Sequence, residues 1–413
     1  MNSRLDKLSP YPFQKLNKLK SSGVVQTDLE HIPLSVGEPK HPAPECALEA
    51  LTSNLDAVTR YPSTRGTSEL RRTLADWLCQ RFSLDKQSFS ADKNVLPVNG
   101  TREALFAIAQ TLIDPASEES LIISPNPFYQ IYEGAGIMSG AAIHMMNCEH
   151  NNNFLPNLDD LTHEVLSRCE LMYLCTPGNP TGAVMSIAYL QKAIKLAREF
   201  DFVLVSDECY SELYYQKAPP GLLEAAHKLQ PGNYQNCLAF HSLSKRSNLP
   251  GLRSGLVAGD EKLLDCFFQY RTYHGSAMSE LVQLASIAAW SDESHVEKNR
   301  QLYSEKFDLV LAILKDYVSL AKPEAGFYLW LDIRPFYSES ESESGLTSDE
   351  CFARDLFLHQ HITVLPGSYL SRDVNGTNPG EGYVRLALVA PKTKCIEAAN
   401  RINQFLTARR HAA

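Results

Sequence analysis

A lysine among hydroxyl side chains has the setting of a reactive amine. Lys245 comes at the foot of the apolar run 237–243, close to Ser242, and an Asn-Leu-Pro-Gly turn then separates it from Arg253. An amine attacks an aldehyde only when it is partly neutral, and burial or a nearby cation lowers its pKa accordingly. We expect Arg246 and Arg253 to supply that positive charge. Because serine and arginine also bind phosphate oxygens, the pattern favours a lysine that meets a phosphorylated aldehyde over an ordinary surface lysine.

A second apolar run ends in a carboxylate side chain. Asp207 closes the stretch FVLVSD, where a charged side chain costs free energy unless a partner compensates it. Two interpretations remain open from the residues alone. Asp207 either pairs with a bound ligand or caps the N-terminus of a following helix, which is a common position for aspartate.

Two further motifs favour anionic ligands. The stretch NGTREAL places a glycine turn before a predicted helix, so the backbone N–H groups of Gly100, Thr101 and Arg102 would form an anion site at that helix N-terminus. Arg385 lies inside the apolar run YVRLALV, and an arginine there needs an anionic partner. Asn179, in GNPTG, is only a turn signal when it is taken alone.

Short apolar strands alternate with helices through the middle of the chain. Strands are predicted at residues 94–100, 119–124, 170–176, 201–208, 237–243 and 253–259. Continuous apolar strands separated by helices indicate a parallel sheet buried on both faces, which is the α/β class. Open α/β sheets bind ligands at the carboxyl ends of their strands. The polar residues that follow those ends are Gly100, Thr101, Tyr129, Asn179, Asp207, Ser242 and Lys245.

The pattern changes after about residue 295. A long amphipathic helix and strands of mixed pattern there suggest a smaller α+β domain, and HIPLSVGEP near the start of the chain is typical of a strand that leaves a first helix. We therefore predict three parts. Residues 1–40 form a segment that packs on the small domain, residues 41–294 form the large domain, and residues 295–413 form the small domain.

The composition excludes several other classes of protein. With 413 residues, of which 44% are hydrophobic and 21% charged, the chain resembles an ordinary globular protein. Its formal charge of −9 disfavours nucleic-acid and anionic-membrane partners, and the absence of a run of about 18 apolar residues argues against a transmembrane helix. Ten cysteines without a C-x-x-C pair, and no export signal, predict reduced thiols in the cytoplasm.

Signals for metal binding are weak. His359 and His361 are two residues apart, which on a helix points them in different directions, and further ligands do not accompany them. No metal site is predicted. The segment 338–345, rich in serine and glutamate, is predicted to be an exposed loop because it has no apolar residue to bury.

Most of the chain, from about residue 30 to about residue 390, resembles the fold-type I, pyridoxal-phosphate-dependent aminotransferases of the aspartate aminotransferase superfamily. The motifs that carry the resemblance are NGTREAL, PNPFYQIY, GNPTG, FVLVSDECY, SLSKRSNLPGLRSG and YVRLALV. The resemblance implies the PLP-dependent transferase fold, with a large domain on a mostly parallel sheet and a smaller α+β domain. It also implies pyridoxal 5'-phosphate as cofactor, with amino acids and 2-oxo acids as substrates.

The resemblance assigns a role to each residue at the reacting end of the cofactor. It makes Lys245 the lysine that forms the Schiff base with the cofactor aldehyde. Asp207 would keep the pyridine nitrogen protonated, so that the ring accepts electrons when the substrate loses its Cα proton. Tyr210 and Asn179 would bond the phenolic oxygen of the cofactor.

Further roles concern the phosphate, the ring face and the substrate carboxylate. The residues implied at the phosphate are Gly100, Thr101, Arg102, Ser242 and Arg253. Tyr61 would reach the phosphate of a neighbouring subunit, which implies an obligate homodimer. Tyr129 would stack on the cofactor ring, with Phe128 as the alternative. Arg385 would clamp the substrate α-carboxylate, the backbone of Gly37 would approach the same group, and Asn179 would contact the substrate as well as the cofactor.

The substrate is the least specific part of the resemblance. LSPYPFQKL, NGTREAL, PNPFYQIYEGA and SLSKRSNLPGLRSG look most similar to succinyldiaminopimelate aminotransferases of lysine and cell-wall precursor biosynthesis. That implies amino transfer between N-succinyl-LL-2,6-diaminopimelate and 2-oxoglutarate or glutamate. Alternatives are an aminotransferase for aspartate, aromatic amino acids or N-acetylornithine, a β-lyase, and a cofactor-free binding protein. An open, partly basic mouth is expected, with Arg65 and Lys15 as candidate contacts.

Overall fold

The computed structural model describes residues 1–117, 119–317, 321–337 and 345–412. The predicted loop at 338–345 therefore lies outside the described residues, except for Gly345. The strands are β1 (Ile32–Pro33), β2 (Val95–Val98), β3 (Leu121–Asn126), β4 (Ala142–Asn147), β5 (Cys169–Cys175), β6 (Val203–Asp207), β7 (Cys237–Ser242), β8 (Gly255–Gly259), β9 (Tyr328–Asp332), β10 (Ile362–Thr363), β11 (Leu365–Pro366) and β12 (Tyr383–Ala387).

Helices cover both faces of the larger sheet and build most of the C-terminal part. They are α1 (Pro12–Lys20), α2 (Glu45–Thr52), α3 (Ser68–Phe82), α4 (Thr101–Leu112), α5 (Ile131–Ser139), α6 (His163–Arg168), α7 (Ile187–Glu199), α8 (Leu222–Leu229), α9 (Leu243–Arg246), α10 (Glu261–His274), α11 (Glu280–Ser291), α12 (Ser294–Leu314), α13 (Ser348–Gln360) and α14 (Lys392–Ala412). Among the described residues, every helix is too short or too polar to span a bilayer.

Seven strands form the larger sheet in the order β2-β8-β7-β6-β5-β3-β4. β8 runs antiparallel to both of its neighbours, and the other neighbouring pairs are parallel. The predicted α/β class and the mostly parallel sheet are therefore confirmed. The sequence prediction missed β4, which is an edge strand with mostly half-buried residues and so lacks the continuous apolar run of its neighbours.

The central strands are buried because apolar helices pack on both of their faces. Every residue of β6 and β7 is buried. One face of the sheet packs against α3, α7, α8 and α11, and the other packs against α4, α5 and α10. This three-layer arrangement leaves the carboxyl ends of the parallel strands as the edge at which loops and helix N-termini meet.

The C-terminal part has its own apolar core around a three-stranded antiparallel sheet, in the order β11-β12-β9. Leu16 and Leu19 of α1, and Ile32 of β1, belong to that core. β1 pairs in parallel with β10, and Ile32 lies opposite Ile362. The N-terminal segment thus packs against the C-terminal part, while the domain boundaries near residues 41 and 294 stay a prediction.

Candidate active site

A cavity of about 400 Å³ opens where the parallel strands of the larger sheet end. It is bordered by segments from the larger sheet, the N-terminal segment and the C-terminal sheet. The predicted site residues that line it are Gly37, Thr101, Arg102, Tyr129, Asn179, Asp207, Tyr210, Ser242, Lys245, Arg253 and Arg385. The structure therefore brings together residues that are far apart in sequence, as the strand-end argument predicts.

Lys245 projects into this cavity from the short helix α9. Its Nζ donates a hydrogen bond to the carbonyl oxygen of Gly37 at 2.5 Å. Burial lowers the pKa of Lys245 to about 8, and the nearby guanidinium groups of Arg385 and Arg102 add to that effect. An amine whose pKa is lowered in this way has a much larger neutral fraction near neutral pH than an ordinary lysine, and the neutral form is the one required of a nucleophile or base.

The cation that follows Lys245 in the sequence does not lie beside it in the structure. Arg246 directs its guanidinium away from the cavity, over the rings of Trp77 and Trp290 at 5.5 and 4.7 Å. Consecutive residues of a helix point about 100° apart, so adjacency in sequence does not place two side chains together. The prediction that Arg246 supplies the positive charge beside the lysine was wrong, and Arg385 and Arg102 are the cations that lower its pKa most.

Asp207 is buried at the end of β6 and receives several hydrogen bonds. The hydroxyl of Tyr132 donates to Oδ2 at 2.8 Å, and the backbone N–H of Cys209 donates to Oδ1 at 3.3 Å. Burial nevertheless raises the pKa of Asp207 above its ordinary value. No helix begins at Asp207, so the capping interpretation is wrong. A buried carboxylate of this kind suits a cationic group of a bound ligand.

Arg385 and Asn179 form a second polar group in the cavity. Arg385 donates to Asn179 Oδ1 at 2.9 Å and to the carbonyl oxygen of Ser35 at 2.8 Å, and it lies 4.3 Å from the ring centroid of Tyr328. Its Nε is buried and has no hydrogen-bond partner among the described residues. The Tyr210 hydroxyl lies 3.0 Å from that of Tyr328. The two bonds of Arg385 use two of its five N–H donors, so the guanidinium keeps further donors on its two Nη atoms for an anion.

An anion cradle forms where α4 begins. Gly100 has a φ of +82°, and a Cβ at this position would lie 2.5 Å from Nη2 of Arg253. The guanidinium thus packs directly on the glycine turn that leads into the helix N-terminus at Thr101. Ser242, whose Oγ accepts a hydrogen bond from the Ser244 N–H at 3.1 Å, lines the same cavity. Helix N-terminus, guanidinium and hydroxyl together fit a phosphate.

We expect the substitution Gly100→Ala to weaken cofactor binding about tenfold or more, because the new methyl group would displace the Arg253 guanidinium from the cradle. The measurement is equilibrium titration of the apoenzyme with cofactor. Gly275→Ala is the control: Gly275 shares the φ of +82°, but nothing within the described part of the chain lies within 4 Å of its added Cβ. Gly275, with a ψ of 27°, is in the left-handed helical region, where alanine should cost about 1–2 kcal/mol of stability. Gly100, with a ψ of 156°, is in a region almost restricted to glycine, where alanine should cost about 1–3 kcal/mol. Equal cofactor affinity in the two variants would contradict the cradle.

Tyr129 and Phe128 lie in different surroundings, although they are adjacent in sequence. Phe128 is 1% exposed and packs in the core on one face of the sheet, with the guanidinium of Arg372 5.1 Å from its ring centroid. Tyr129 lines the cavity, and its hydroxyl accepts a hydrogen bond from Arg102 Nε at 2.7 Å. Tyr129 is therefore the better placed of the two aromatic rings to contact a ligand.

Three predicted contacts lie outside the cavity of their own chain. Tyr61 is fully exposed. Arg65 donates to the carbonyl oxygen of Asp92 at 2.8 Å and pairs with Asp265 at 3.3 Å. Lys15 lies over the ring of Tyr369 at 5.5 Å. Arg65 and Lys15 thus have partners elsewhere, and the role of Tyr61 toward a neighbouring subunit stays a prediction.

Several residues in or beside the cavity were missed by the sequence prediction. Tyr132 does not line the cavity, but its hydroxyl bonds Asp207, and its closeness to Tyr129 in the motif PNPFYQIY was the available signal. Tyr328 and Trp330 are two residues apart in β9, so their side chains lie on the same face of the strand. That spacing was the available sequence signal for Tyr328. Glu38 also lines the cavity, and its position there could not be read from the sequence.

One group of metal-ligand side chains has donor atoms within 4.8 Å of one another in the described part of the chain. It consists of Cys46, Asp292 and His295, and it includes neither His359 nor His361. His295 Nδ1 already bonds Asp292 at 2.6 Å, and its Nε2 lies 2.8 Å from the Ser247 hydroxyl. Both imidazole nitrogens thus have partners within the protein.

Comparison with known proteins gives a consistent result over the whole chain. The sequence profile of the family described as aminotransferase class I and II matches residues 30–402. An LL-diaminopimelate aminotransferase of Aquifex aeolicus is 30% identical over 410 residues, which are 98% of each chain. The crystal structure of an aminotransferase from Neisseria meningitidis superposes with a TM-score of 0.92 at 45% identity, covering 98% of this chain and all of that one.

The description of a third similar protein also names a diaminopimelate substrate. A Thermus thermophilus protein described as a "probable N-succinyldiaminopimelate aminotransferase" has a TM-score of 0.80 at 26% identity, and the match covers 95% of this chain and 99% of that one. The aspartate aminotransferase-like fold, the catalytic class and the cofactor implied by the sequence motifs are confirmed by these matches. The chain belongs to the class I and II aminotransferases, which use pyridoxal 5'-phosphate as cofactor.

Proposed function

We propose that the chain transfers an amino group between glutamate and an amino acid of the diaminopimelate series. N-succinyl-LL-2,6-diaminopimelate is the first candidate substrate. The observation that carries the proposal is that Lys245 and the incompletely paired Arg385 face the same cavity. A transaminase needs an amine to move a proton and a cation to hold the α-carboxylate of each substrate.

Different residues of the cavity are assigned to different groups of the cofactor and substrate. When bound, the cofactor supplies an aldehyde that receives the amino group and a ring that accepts electrons. We assign Lys245 Nζ to that aldehyde and to moving the substrate Cα proton. We assign Asp207 to the pyridine nitrogen, and Tyr210 with Asn179 to the phenolic oxygen.

The remaining assignments concern the two ends of the site. The phosphate would be held by the backbone at Gly100, Thr101 and Arg102, together with the side chains of Ser242 and Arg253. Tyr129 would cover the ring face. The α-carboxylate would bind Arg385, close to the backbone of Gly37. A Cβ at Gly37 would lie only 1.9 Å from the hydroxyl of Tyr328, so a larger residue does not fit there.

The mouth of the cavity supports a long substrate with charged groups at its far end. Arg102 lines the cavity and donates through Nη2 to the hydroxyl of Tyr11 at 3.2 Å, and we assign its charge to a distal carboxylate of the substrate. Glu38 lines the cavity as well and pairs with Lys40. A carboxylate suits a free distal ammonium, which an acylated substrate lacks. Glu38 and the LL-diaminopimelate aminotransferase relatives therefore favour unacylated LL-diaminopimelate as the second candidate.

The decisive assay compares kcat/KM for five amino donors under one set of conditions: N-succinyl-LL-2,6-diaminopimelate, LL-diaminopimelate, aspartate, tyrosine and N-acetylornithine. One of the two diaminopimelates should be preferred by roughly tenfold to a hundredfold for each distal contact, since an unpaired buried polar group costs about 1–3 kcal/mol. A higher value for aspartate or tyrosine would overturn the diaminopimelate assignment and leave the aminotransferase class intact.

We further propose that the enzyme is a homodimer in which Tyr61 completes the phosphate site of the neighbouring subunit. Support comes from the segment around it: Leu55, Val58 and Tyr61 are 62%, 64% and 102% exposed. Apolar side chains that are exposed together in one segment are typical of a surface that binds a partner. Tyr61→Phe should weaken cofactor binding by about tenfold or less, the loss of one hydrogen bond to an anion.

Mixed dimers show whether Tyr61 acts across the interface. A dimer with Lys245→Ala in one subunit and Tyr61→Phe in the other should keep one site of wild-type cofactor affinity, because the one intact lysine is then completed by the one intact tyrosine. The control dimer carries both substitutions in one subunit beside a wild-type partner, and its one active site should show the weakened affinity. The reverse pattern would place Tyr61 in its own subunit's site.

A further inference from the structure

The backbone that carries Lys245 is anchored on the side away from the cavity. Arg246, the next residue of α9, is 1% exposed, and its guanidinium lies over Trp77 and Trp290. Nη1 donates to the carbonyl oxygen of Ala289 at 2.8 Å, and Nη2 donates to Glu293 Oε1 at 2.5 Å. Arg246 thereby ties the lysine turn to the end of α11 and to the residue that precedes α12.

A second anchor comes from α12 itself. Asn299 is 2% exposed, and its Nδ2 donates to the carbonyl oxygens of Lys245 and Arg246, each at 3.4 Å. These carbonyls belong to the last residues of α9, where a helix leaves its acceptors without internal partners. The Oδ1 of Asn299 accepts from Asn248 Nδ2 at 3.2 Å and lies 2.7 Å from Nδ1 of His41. The amide is thus oriented by bonds on both of its atoms.

The same helix also reaches the strand that carries Arg385. Lys306, about two turns after Asn299, is 3% exposed and donates to the carbonyl oxygens of Leu388 and Val389 at 3.2 and 3.4 Å. Those residues directly follow β12. One rigid helix therefore holds the lysine turn at one point and the end of the arginine strand at another.

We propose that Arg246 and Asn299 are positioning residues that fix Lys245 relative to Arg385. The inference rests on the proposed roles of those two cavity residues. Arg246 does not line the cavity, so it acts through the backbone of its neighbour. A lysine that moves proton and amino group must hold its Nζ close to the reacting atoms, and a displacement of about 1 Å lowers the rate by roughly a hundredfold.

Arg246→Met tests the proposal, because methionine can keep the packing against the two tryptophan rings while it removes the charge and all of the arginine's hydrogen bonds. Glu293 loses its charged partner but keeps the hydrogen bond from Trp77 Nε1 at 3.0 Å, and its side chain is 45% exposed, so the variant should fold. The matched control is Arg401→Met: Arg401 is 6% exposed, bonds the Glu30 carbonyl oxygen at 2.8 Å and pairs with Glu397, in α14 away from the cavity.

Two readouts separate positioning from a general loss of stability. The first is the pH dependence of Lys245 acylation in the apoenzyme, measured by peptide mass spectrometry. The wild-type midpoint should lie near pH 8. In Arg246→Met it should rise by about one pH unit, because a loosened turn gains water and the pKa moves toward the ordinary lysine value of about 10.4. The second is kcat, which should fall about tenfold to a hundredfold, while KM for the amino donor stays within about threefold.

Arg401→Met should leave the acylation midpoint and kcat at their wild-type values. An Arg246→Met enzyme with an unchanged midpoint and unchanged kcat would overturn the inference. If that variant does not fold, Asn299→Leu carries the same expectations and the same criterion. Failure of the proposed function is a separate result: it would appear as transaminase activity in Lys245→Ala, whatever Arg246→Met does.

Discussion

Replacing Lys245 with alanine should abolish transamination and leave the fold intact. The rate should fall by about a thousandfold or more, because one substitution removes both the covalent attachment of the cofactor and the group that moves the substrate proton. The side chain projects into the cavity and its Nζ makes one hydrogen bond to the Gly37 carbonyl oxygen, so the core does not depend on it. The variant should still bind cofactor, through the phosphate cradle.

Borohydride treatment followed by peptide mapping checks the covalent part of this prediction. In the wild-type enzyme the cofactor should become permanently attached to the peptide that contains Lys245, and in the variant no peptide should carry it. Lys228→Ala is the control: this lysine is exposed, pairs with Glu224 on α8 and should be replaceable without effect. Attachment to another lysine in Lys245→Ala would move the reactive amine elsewhere.

Asp207→Ala should lower the rate of proton removal from the substrate by several orders of magnitude. The carboxylate is the acidic side chain that β6 delivers into the cavity, and the capacity of the bound ring to accept electrons depends on a positive charge that such a group stabilises. Cofactor affinity should fall as well, and can be measured without turnover by titration of the apoenzyme. Turnover within a fewfold of wild type would make the assignment of Asp207 wrong.

Glu208→Gln is a closely matched control for that experiment. Glu208 is also buried, but strand alternation points it to the other side of the sheet, where its Oε1 accepts a hydrogen bond from the Leu222 N–H at 2.7 Å. Burial raises the pKa of Glu208 to about 7, so the neutral amide resembles a form that already occurs at neutral pH. Activity within about threefold of wild type is expected. An equal loss in both variants would show that the effect of Asp207→Ala is structural.

The sequence by itself determined most of the larger sheet and eleven of the residues that line the cavity. Strands such as FVLVSD and CLAFHSL are continuous apolar runs, and such runs between helices have few alternatives to a buried parallel sheet. Once that sheet is predicted, the polar residues that follow the strands must all lie at the edge formed by the carboxyl ends of the strands. Asp207, Ser242 and Lys245 therefore meet in one cavity, as their positions along the chain predict.

The tertiary structure alone decided which side chains act on one another across that cavity. Arg246 is adjacent to Lys245 in sequence, yet its guanidinium lies over the rings of two tryptophans. Arg385 comes from a strand of the C-terminal sheet and helps to lower the pKa of the lysine. Likewise, only packing separates Phe128 in the core from Tyr129 in the cavity. Periodicity along a chain fixes the face on which a side chain lies within its own element. Distances between elements depend on how helices and sheets pack, and no local pattern records them.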